Sequence, residues 1–443
     1  MSAVRGASRL WDHLPTVNRV LLAAAAIALA GCGRDAPRPP RPNVVIVLLD
    51  AVRADHLPFY GYSRSTAPFL SSLAARGVVF DRAYSASGWT SPATASLFTS
   101  LYPFQHGVIW NVRRMRESQF RFSRVPAEVD TIAEAMKKAG YATYAVSDNV
   151  SASQLGGFDA GFDHFASESD ASASAVNRHV KAWKADLESG RPYFLYLHYM
   201  DAHEPYLPRD GFDEFMKDGL PNPRRDFVAA YDSEIRLQDE KVKGLFEQLH
   251  WDNNTIVIVT SDHGEGFHDH GLVGHANSLY DELLRVALLV FSSAEAFPAR
   301  RVATPVGHVD VLPTLRDLAG LPPDPRNVGW SLVPLLREGR WSRGERPLLA
   351  HLQEFDETHE WKAVVRGKWK LLERIPGRVQ LFDVEADPGE QHDLAPQNPA
   401  VVASLRADYT RTEASAPRFT DSSRNAELSP EAIEKLKALG YVQ

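Results

Sequence analysis

The 443-residue chain carries 49 Lys and Arg against 56 Asp and Glu, a net charge of −7, so no basic field marks it for nucleic acid. With 44% hydrophobic and 24% charged residues it reads as an ordinary globular protein, long enough for one large α/β domain with an added subdomain or for two domains. A single cysteine, Cys32, excludes an internal disulfide and an all-cysteine metal site.

In chain order, the first feature is an N-terminal signal. Arg5, Arg9 and Arg19 precede an apolar run from Val20 to Ala30, which is short for a bilayer span and has the length of a signal-peptide core. Leu29-Ala30-Gly31-Cys32 resembles the bacterial lipobox, which implies lipidation at Cys32; a plain secretory signal or a short anchor helix are the alternatives. The expected organisation is a signal peptide over 1–31, a Pro-rich linker over 32–42, a catalytic domain over 43–345 and a C-terminal subdomain over 346–443. The expected location is the periplasm-facing cell envelope of a bacterium, with Gly33 pointing to the outer rather than the inner membrane.

Apolar runs then alternate with helical patterns, which predicts a largely parallel sheet. "NVVIVLLD" ends at Asp50 and "YATYAVSDN" at Ser147-Asp148-Asn149. "YFLYLHYMDAHEP" ends at Asp201 and His203, and "NTIVIVTSDHG" at Asp262-His263. Strands buried on both faces leave their polar neighbours to collect past the carboxyl ends, where open α/β sheets bind ligands. One such Asp is an ordinary helix cap, whereas several together point to a site. Between the strands, "TIAEAMKKAG" is a helix with a Gly stop. "AAYDSEIRLQDEKVKGLFEQL" is a long amphipathic helix, with Ile235, Leu237, Val242 and Leu245 expected in the core and Asp232, Glu234, Asp239 and Glu240 on a solvated face. "WKAVVRGKWKLLER" and "RVQLFDVEADPGE" predict short antiparallel strands, and "LSPEAIEKLKALGYV" a last helix stopped by Gly440.

"SGWTSPATASLFTSLYPFQHG" predicts a helix capped by Thr90, with Ser91 and Pro92 in its first turn. Such an N-terminus offers free N–H groups to an anion. Asp50, Asp262 and His263, with a Thr hydroxyl, make a mixed O/N donor set suited to a divalent cation. A cation there would lower the hydroxyl pKa and neutralise charge on a transferring sulfuryl or phosphoryl group.

From about Pro42 to Leu394 the chain resembles the sulfatase family of the alkaline-phosphatase superfamily. The resemblance rests on ordered stretches: "PNVVIVLLDAVRADHL", "TSPATASLFTSLYPFQHG", "SDHGEGFHDHG", "GHANSLYDELLRVALLV", "HVDVLPTLRDLAGL" with "GWSLVPLL", and "LFDVEADPGEQHDLA". It implies a central mixed, largely parallel sheet flanked by helices, with a small C-terminal antiparallel subdomain. It makes Asp50, Asp262 and His263 metal ligands, and places Thr90 at the nucleophile position and against the metal. It sets His203 near the oxygens of the transferred group. His275, where many sulfatases carry a Lys, becomes a contact of the anion or the leaving group. Thr94 and Asn149 fall at positions that face the substrate anion.

The departures bear on the substrate. The family nucleophile, Cys or Ser followed by x-Pro-x-Arg, is converted to formylglycine; here the stretch reads Thr90-Ser91-Pro92-Ala93-Thr94, and Thr cannot be so converted. Ala51 replaces a second Asp, Ser147-Asp148-Asn149 replaces Lys-x-His, and His263 replaces Asn. Fewer positive side chains suit a singly charged ester, and imidazole shifts the expected single divalent ion from Ca²⁺ toward Zn²⁺ or Mn²⁺. A second ion held by Asp201, His203, His268, His270, His275 or His308 is disfavoured, because Asp201-x-His203 is shorter than the spacing in two-zinc relatives. Three function classes remain open. One is a hydrolase of small-molecule, glycan or lipid-linked sulfate or phosphate esters that forms a Thr90 ester. The second is an envelope phosphoethanolamine- or phosphoglycerol-type transferase. The third is a non-catalytic binding protein.

Overall fold

The apolar run Val44 to Leu49 is buried throughout and forms a central strand, β1 (Asn43–Leu49). The computed structural model describes residues 41–443 apart from 110–111, 115–118, 168–171, 208–210, 213, 219–222, 355–357, 416, 420–423, 428 and 439–443. The segment expected to be a signal peptide, Cys32, most of the expected linker and the expected stop at Gly440 lie outside the described residues. The other strands of the main sheet are β2 (Val78–Phe80), β3 (Ala142–Ser147), β4 (His164–Ala166), β5 (Tyr193–Tyr199), β6 (Thr255–Thr260), β7 (Leu288–Ser292) and β8 (Arg300–Val302). Their order is β8-β2-β7-β6-β1-β5-β3-β4. β7 runs antiparallel to β6 and β2, and the remaining pairs are parallel. The sheet is thus mixed and largely parallel, as expected.

Helices cover both faces: α1 (Pro68–Ala74), α2 (Thr90–Thr99), α3 (Ile132–Lys138), α4 (Ala173–Ala182), α5 (Pro223–Gln248) and α6 (Val311–Leu318). Alternation along β1 sends Val44, Ile46 and Leu48 toward α2, α3 and α6, and Val45, Val47 and Leu49 toward α1, α4 and α5. α2 is buried along its whole length, so its N-terminus is fixed by packing. α3 carries the Thr131/Glu134 capping box and stops before Gly140 at φ 90°.

α5 corrects the amphipathic reading. Ile235, Val242 and Leu245 are core, but Leu237 is only partly buried, and Asp232, Glu234 and Asp239 are buried rather than solvated. Each acid meets a distant partner. Asp232 accepts from Tyr62 and Arg64 and pairs with His56. Glu234 accepts from the Leu207 amide. Asp239 accepts from the Phe69 and Leu70 amides at 2.9 and 2.8 Å, capping the open end of α1.

The C-terminal sheet, β9 (Leu348–Gln353), β10 (Glu360–Arg366), β11 (Trp369–Ile375) and β12 (Arg378–Asp383), is antiparallel throughout. One face packs on α7 (Pro399–Ser415) and the other on Tyr84, Trp89, Leu279 and Leu284. At that second face Lys370 is fully buried, 2.6 Å from Asp281 and 2.8 Å from Glu390. Removing the ammonium strands two buried carboxylates against each other. Lys370→Met is therefore expected to lower the free energy of unfolding by about 3–5 kcal/mol, measured by denaturant titration.

Candidate active site

β1, β5, β6 and β3 are mutually parallel neighbours, so their carboxyl ends open on one edge of the sheet. Asp50 follows β1, Asn149 follows β3, His203 follows β5, and Asp262 and His263 follow β6. The N-terminus of α2 meets the same edge, bringing Thr90 to them. The helix starts at Thr90 itself; Trp89, extended at φ −163°, holds the cap position that the sequence had suggested for Thr90. Thr90 is thereby released from capping, and its Oγ1 lies 3.2 Å from His263 Nε2 and 3.4 Å from Asn149 Nδ2. Ser91 is not a rival nucleophile, because its hydroxyl is committed to the Ser151 carbonyl at 2.8 Å.

The two carboxylates are fully buried, and each has one engaged oxygen and one free oxygen. Asp50 Oδ2 accepts from Asn149 Nδ2 at 2.6 Å and from His198 Nε2 at 2.8 Å. Asp262 Oδ1 accepts from the Ala51 and His263 amides at 3.1 and 2.9 Å. The other oxygens, Asp50 Oδ1 and Asp262 Oδ2, have no protein donor and lie 3.7 and 3.5 Å from His263 Nε2. His263 Nδ1 is taken by the Gly264 carbonyl at 2.8 Å, which leaves Nε2 to face the acids. A Cβ on Gly264 would lie 2.0 Å from the Glu282 carbonyl, so only glycine lets the chain pass here. Among the described residues, Asp50, Asp262 and His263 are the acid–histidine grouping close enough to hold a metal ion, with ligand atoms within 4.8 Å of one another. Two orphaned carboxylate oxygens and a convergent imidazole fit a divalent cation.

The electrostatics agree. Burial opposes ionisation of Asp50, yet the His198 hydrogen bond and the neighbouring histidines hold its pKa well below the ordinary range. Burial and the charge of Asp50 push Asp262 upward, the usual result for two carboxylates in one dry site. A cation between them would remove that repulsion.

His275 and His203 complete the cluster. The His275 ring lies 4.6 Å from His263 and 4.8 Å from His203, centroid to centroid. Its Nδ1 is 3.4 Å from both oxygens of buried Glu265. Burial works against a charged His275, but Glu265, with Asp50 and Asp262 beyond it, pushes its pKa up to about 9. His203 moves downward through burial, against the pull of Asp50. The two neighbouring rings are thus pushed in opposite directions, His275 toward the imidazolium and His203 toward the neutral imidazole.

Several expectations are redrawn. Asn149 is used to hold Asp50 and Thr90 from the side, with its own Oδ1 fixed by the Ser151 amide at 2.7 Å, so it braces the site instead of waiting for substrate. Thr94 lies one turn into the buried helix beside the Tyr196 hydroxyl, inside the protein. Of the second-metal candidates, His203 and His275 stay beside the site, while three others are engaged elsewhere. Asp201 accepts from the Ala173 amide at the start of α4, His270 pairs with Glu282 at 2.7 Å, and His308 reaches Thr260. Two residues were missed, His198 and Glu265. His198 had a signal: it interrupts the apolar run "YFLYLHY" two residues after Tyr196, on the same face of the strand.

Residues 42–321 match the sulfatase family profile. The chain belongs to the sulfatase family. It is 24% identical over 455 residues to the Delta 4,5-hexuronate-2-O-sulfatase of Bacteroides thetaiotaomicron, covering 86% of this chain and 90% of that enzyme. It is 26% identical over 453 residues to the choline-sulfatase of Rhizobium meliloti, covering 83% and 85%. Among solved structures, the phosphonate monoester hydrolase of Agrobacterium radiobacter aligns with TM-score 0.71 at 18% identity, over 88% of this chain and 100% of that one. The protein is a sulfatase-type hydrolase, and the Asp50–Asp262–His263 grouping is where a member of this family would carry its divalent metal.

The metal reading has a direct check. Loaded with a divalent ion and desalted, the protein is expected to retain metal by elemental analysis, and Asp262→Asn and His263→Ala to lose it. At roughly 100 times the dissociation constant, the ion should raise the unfolding free energy of the wild type by about 3 kcal/mol and leave Asp262→Asn unmoved.

Proposed function

We propose that the enzyme hydrolyses singly charged esters, sulfate monoesters first, with Thr90 as an unmodified nucleophile. The observation that carries this reading is the Thr90 hydroxyl, uncapped, at the start of a buried helix and 3.2 Å from His263 beside the two carboxylates. A divalent ion held by Asp50, Asp262 and His263 would supply Lewis acidity to the hydroxyl and to the ester oxygens, with Zn²⁺ or Mn²⁺ favoured over Ca²⁺ by the imidazole ligand.

The residues then divide the work. Thr90 Oγ1, its proton released to solvent, attacks sulfur; the new O–S bond forms as the bond from sulfur to the departing alcohol breaks. His275, held protonated by Glu265, stands where it can give the alcohol oxygen its proton. His203 contacts the remaining oxygens. Water next attacks the sulfur of the Thr90 ester and breaks the Thr90–sulfur bond; one of its protons restores the Thr90 hydroxyl, the other returns to His275, and sulfate leaves. A formylglycine hydrate can expel sulfate without attack at sulfur, and Thr90 lacks the second hydroxyl for that route.

Among the described residues, the largest charge effects on Asp50, Asp262 and His275 come from histidines and carboxylates. Such a site matches a monoanion better than a dianion. Phosphodiesters and phosphonate monoesters satisfy the same condition, and the fold shared with a phosphonate monoester hydrolase supports them as the second reading. The relatives named for hexuronate and choline sulfates support a sulfated sugar or small alcohol as the first substrates to try. The sequence signals near Cys32 support an enzyme tethered at the cell envelope.

The test is a panel of sulfate monoesters, phosphodiesters, phosphonates and phosphate monoesters. Wild type should turn over monoanionic esters. Thr90→Ala should lose about 10³-fold or more in kcat with unchanged circular dichroism, while Thr90→Ser should keep measurable turnover. Acid-quenched wild type should carry one sulfuryl or phosphoryl group on the peptide containing Thr90. Full activity in Thr90→Ala on every accepted ester would refute the mechanism. Transfer to an added alcohol in preference to water would move the enzyme to the transferase class.

A further inference from the structure

Asp50 is gripped harder than a metal ligand needs for simple placement. Its Oδ2 accepts two short hydrogen bonds, from His198 Nε2 and Asn149 Nδ2, and its Oδ1 accepts none. His198 is fully buried one residue before the carboxyl end of β5, with Tyr196 two residues before it on the same face of the strand. The Tyr196 hydroxyl lies 3.1 Å from His198 Nδ1. A carboxylate can only accept, so the proton on the Asp50 side of the ring belongs to Nε2; a hydroxyl donating to Nδ1 holds it there. The Asn149 orientation is fixed in the same way, because its Oδ1 accepts from the Ser151 amide and so turns its NH₂ toward Asp50. On the other acid, the Ala51 and His263 amides engage Asp262 Oδ1 and leave Oδ2.

We propose that His198, aligned by Tyr196 and assisted by Asn149, is a specificity-determining positioning residue: by occupying Asp50 Oδ2 it restricts Asp50 to a single ligand oxygen and so selects against Ca²⁺. The inference rests on the metal-centre reading of Asp50, Asp262 and His263. With one oxygen from each acid, one imidazole nitrogen and the Thr90 hydroxyl, the protein offers four donors. That number suits Zn²⁺ or a small transition ion. Ca²⁺ takes six to eight oxygens and commonly draws both from a carboxylate. A carboxylate whose second oxygen is tied to an imidazole inside the strand cannot open to a bidentate mode without breaking a buried hydrogen bond. Partners of this kind typically change metal affinity by about 10- to 100-fold when removed.

The experiment measures metal binding, not turnover, so its outcome is independent of Thr90. Full-length wild type, His198→Leu, His198→Gln and Asn149→Ala are titrated with Zn²⁺ and with Ca²⁺ by calorimetry, with Asp262→Asn subtracted as the background for adventitious sites. His198→Leu should lose about 10- to 100-fold in Zn²⁺ affinity. Its Ca²⁺ affinity should hold or rise, because Oδ2 is freed, so the ratio of the two affinities falls. His198→Gln can place an amide donor near the Nε2 position and should restore most of the ratio. Asn149→Ala removes the second donor and should shift the ratio the same way, and it stands in if His198→Leu does not fold. Equal losses for both ions in His198→Leu and Asn149→Ala would make the role merely structural and overturn the proposal. Wild type without any metal site would overturn the metal-centre reading itself, which separates the two failures.

Discussion

Two carboxylates buried at one edge of a sheet cannot both ionise without help, and the structure around Asp50 and Asp262 is built to that constraint. Each acid gives one oxygen to the protein and one to a shared space with His263 Nε2. The donors to the first set of oxygens come from four segments: the β1 turn, β3, β5 and the β6 turn. Moving any of these strands by one residue would reverse the faces of its side chains and dissolve the arrangement. The parallel register of β3, β5, β1 and β6 is therefore a condition of the site, and the apolar runs that fix the register are part of its chemistry.

The same constraint explains the packing of α2. A nucleophilic hydroxyl must stand against the acids without being consumed by local hydrogen bonding. Thr at a helix cap would spend its oxygen on its own helix. Here Trp89 takes the cap position, and burial of all ten helical residues holds the first turn in place. Ser91 anchors the turn from the other side through the Ser151 carbonyl. Residue 151 also orients Asn149, so the loop after β3 sets both the nucleophile and the bracing amide.

Much of this was legible in the sequence because it is written in short range. Apolar runs ending in polar residues showed the parallel strands and the edge where they discharge Asp50, Asn149, His203, Asp262 and His263. What could not be read was pairing between distant segments. The acids of α5 follow a helical period that normally means solvent, yet they are buried because residues 56–70 bring His56, Arg64 and two backbone amides to meet them. His198 looked like a polar interruption of a strand, and only the neighbouring strand shows that it faces Asp50. Asn149 follows its strand at the same edge, with its amide engaged by Asp50 and by the Ser151 amide. Spacing within one segment identifies residues that reach an edge; it does not tell which of them will touch each other.

The replacement of fixed cations by imidazoles changes how the site can hold an anion. Arginine carries its charge in nearly any surroundings, whereas His203 and His275 have charges set by their neighbours. Glu265 pushes His275 toward the imidazolium, and burial pushes His203 toward the neutral imidazole. Against them stand Asp50 and Asp262, buried and close by. Glu265 already offsets His275 and the two acids add negative charge, so the protein's own charge near Thr90 is net negative, a poor environment for any anion on its own. Anion binding and cation binding are then linked by Coulomb's law at short range and low dielectric. Each should strengthen the other, and a dianion gains least from a site whose positive side is one imidazolium and one shared ion.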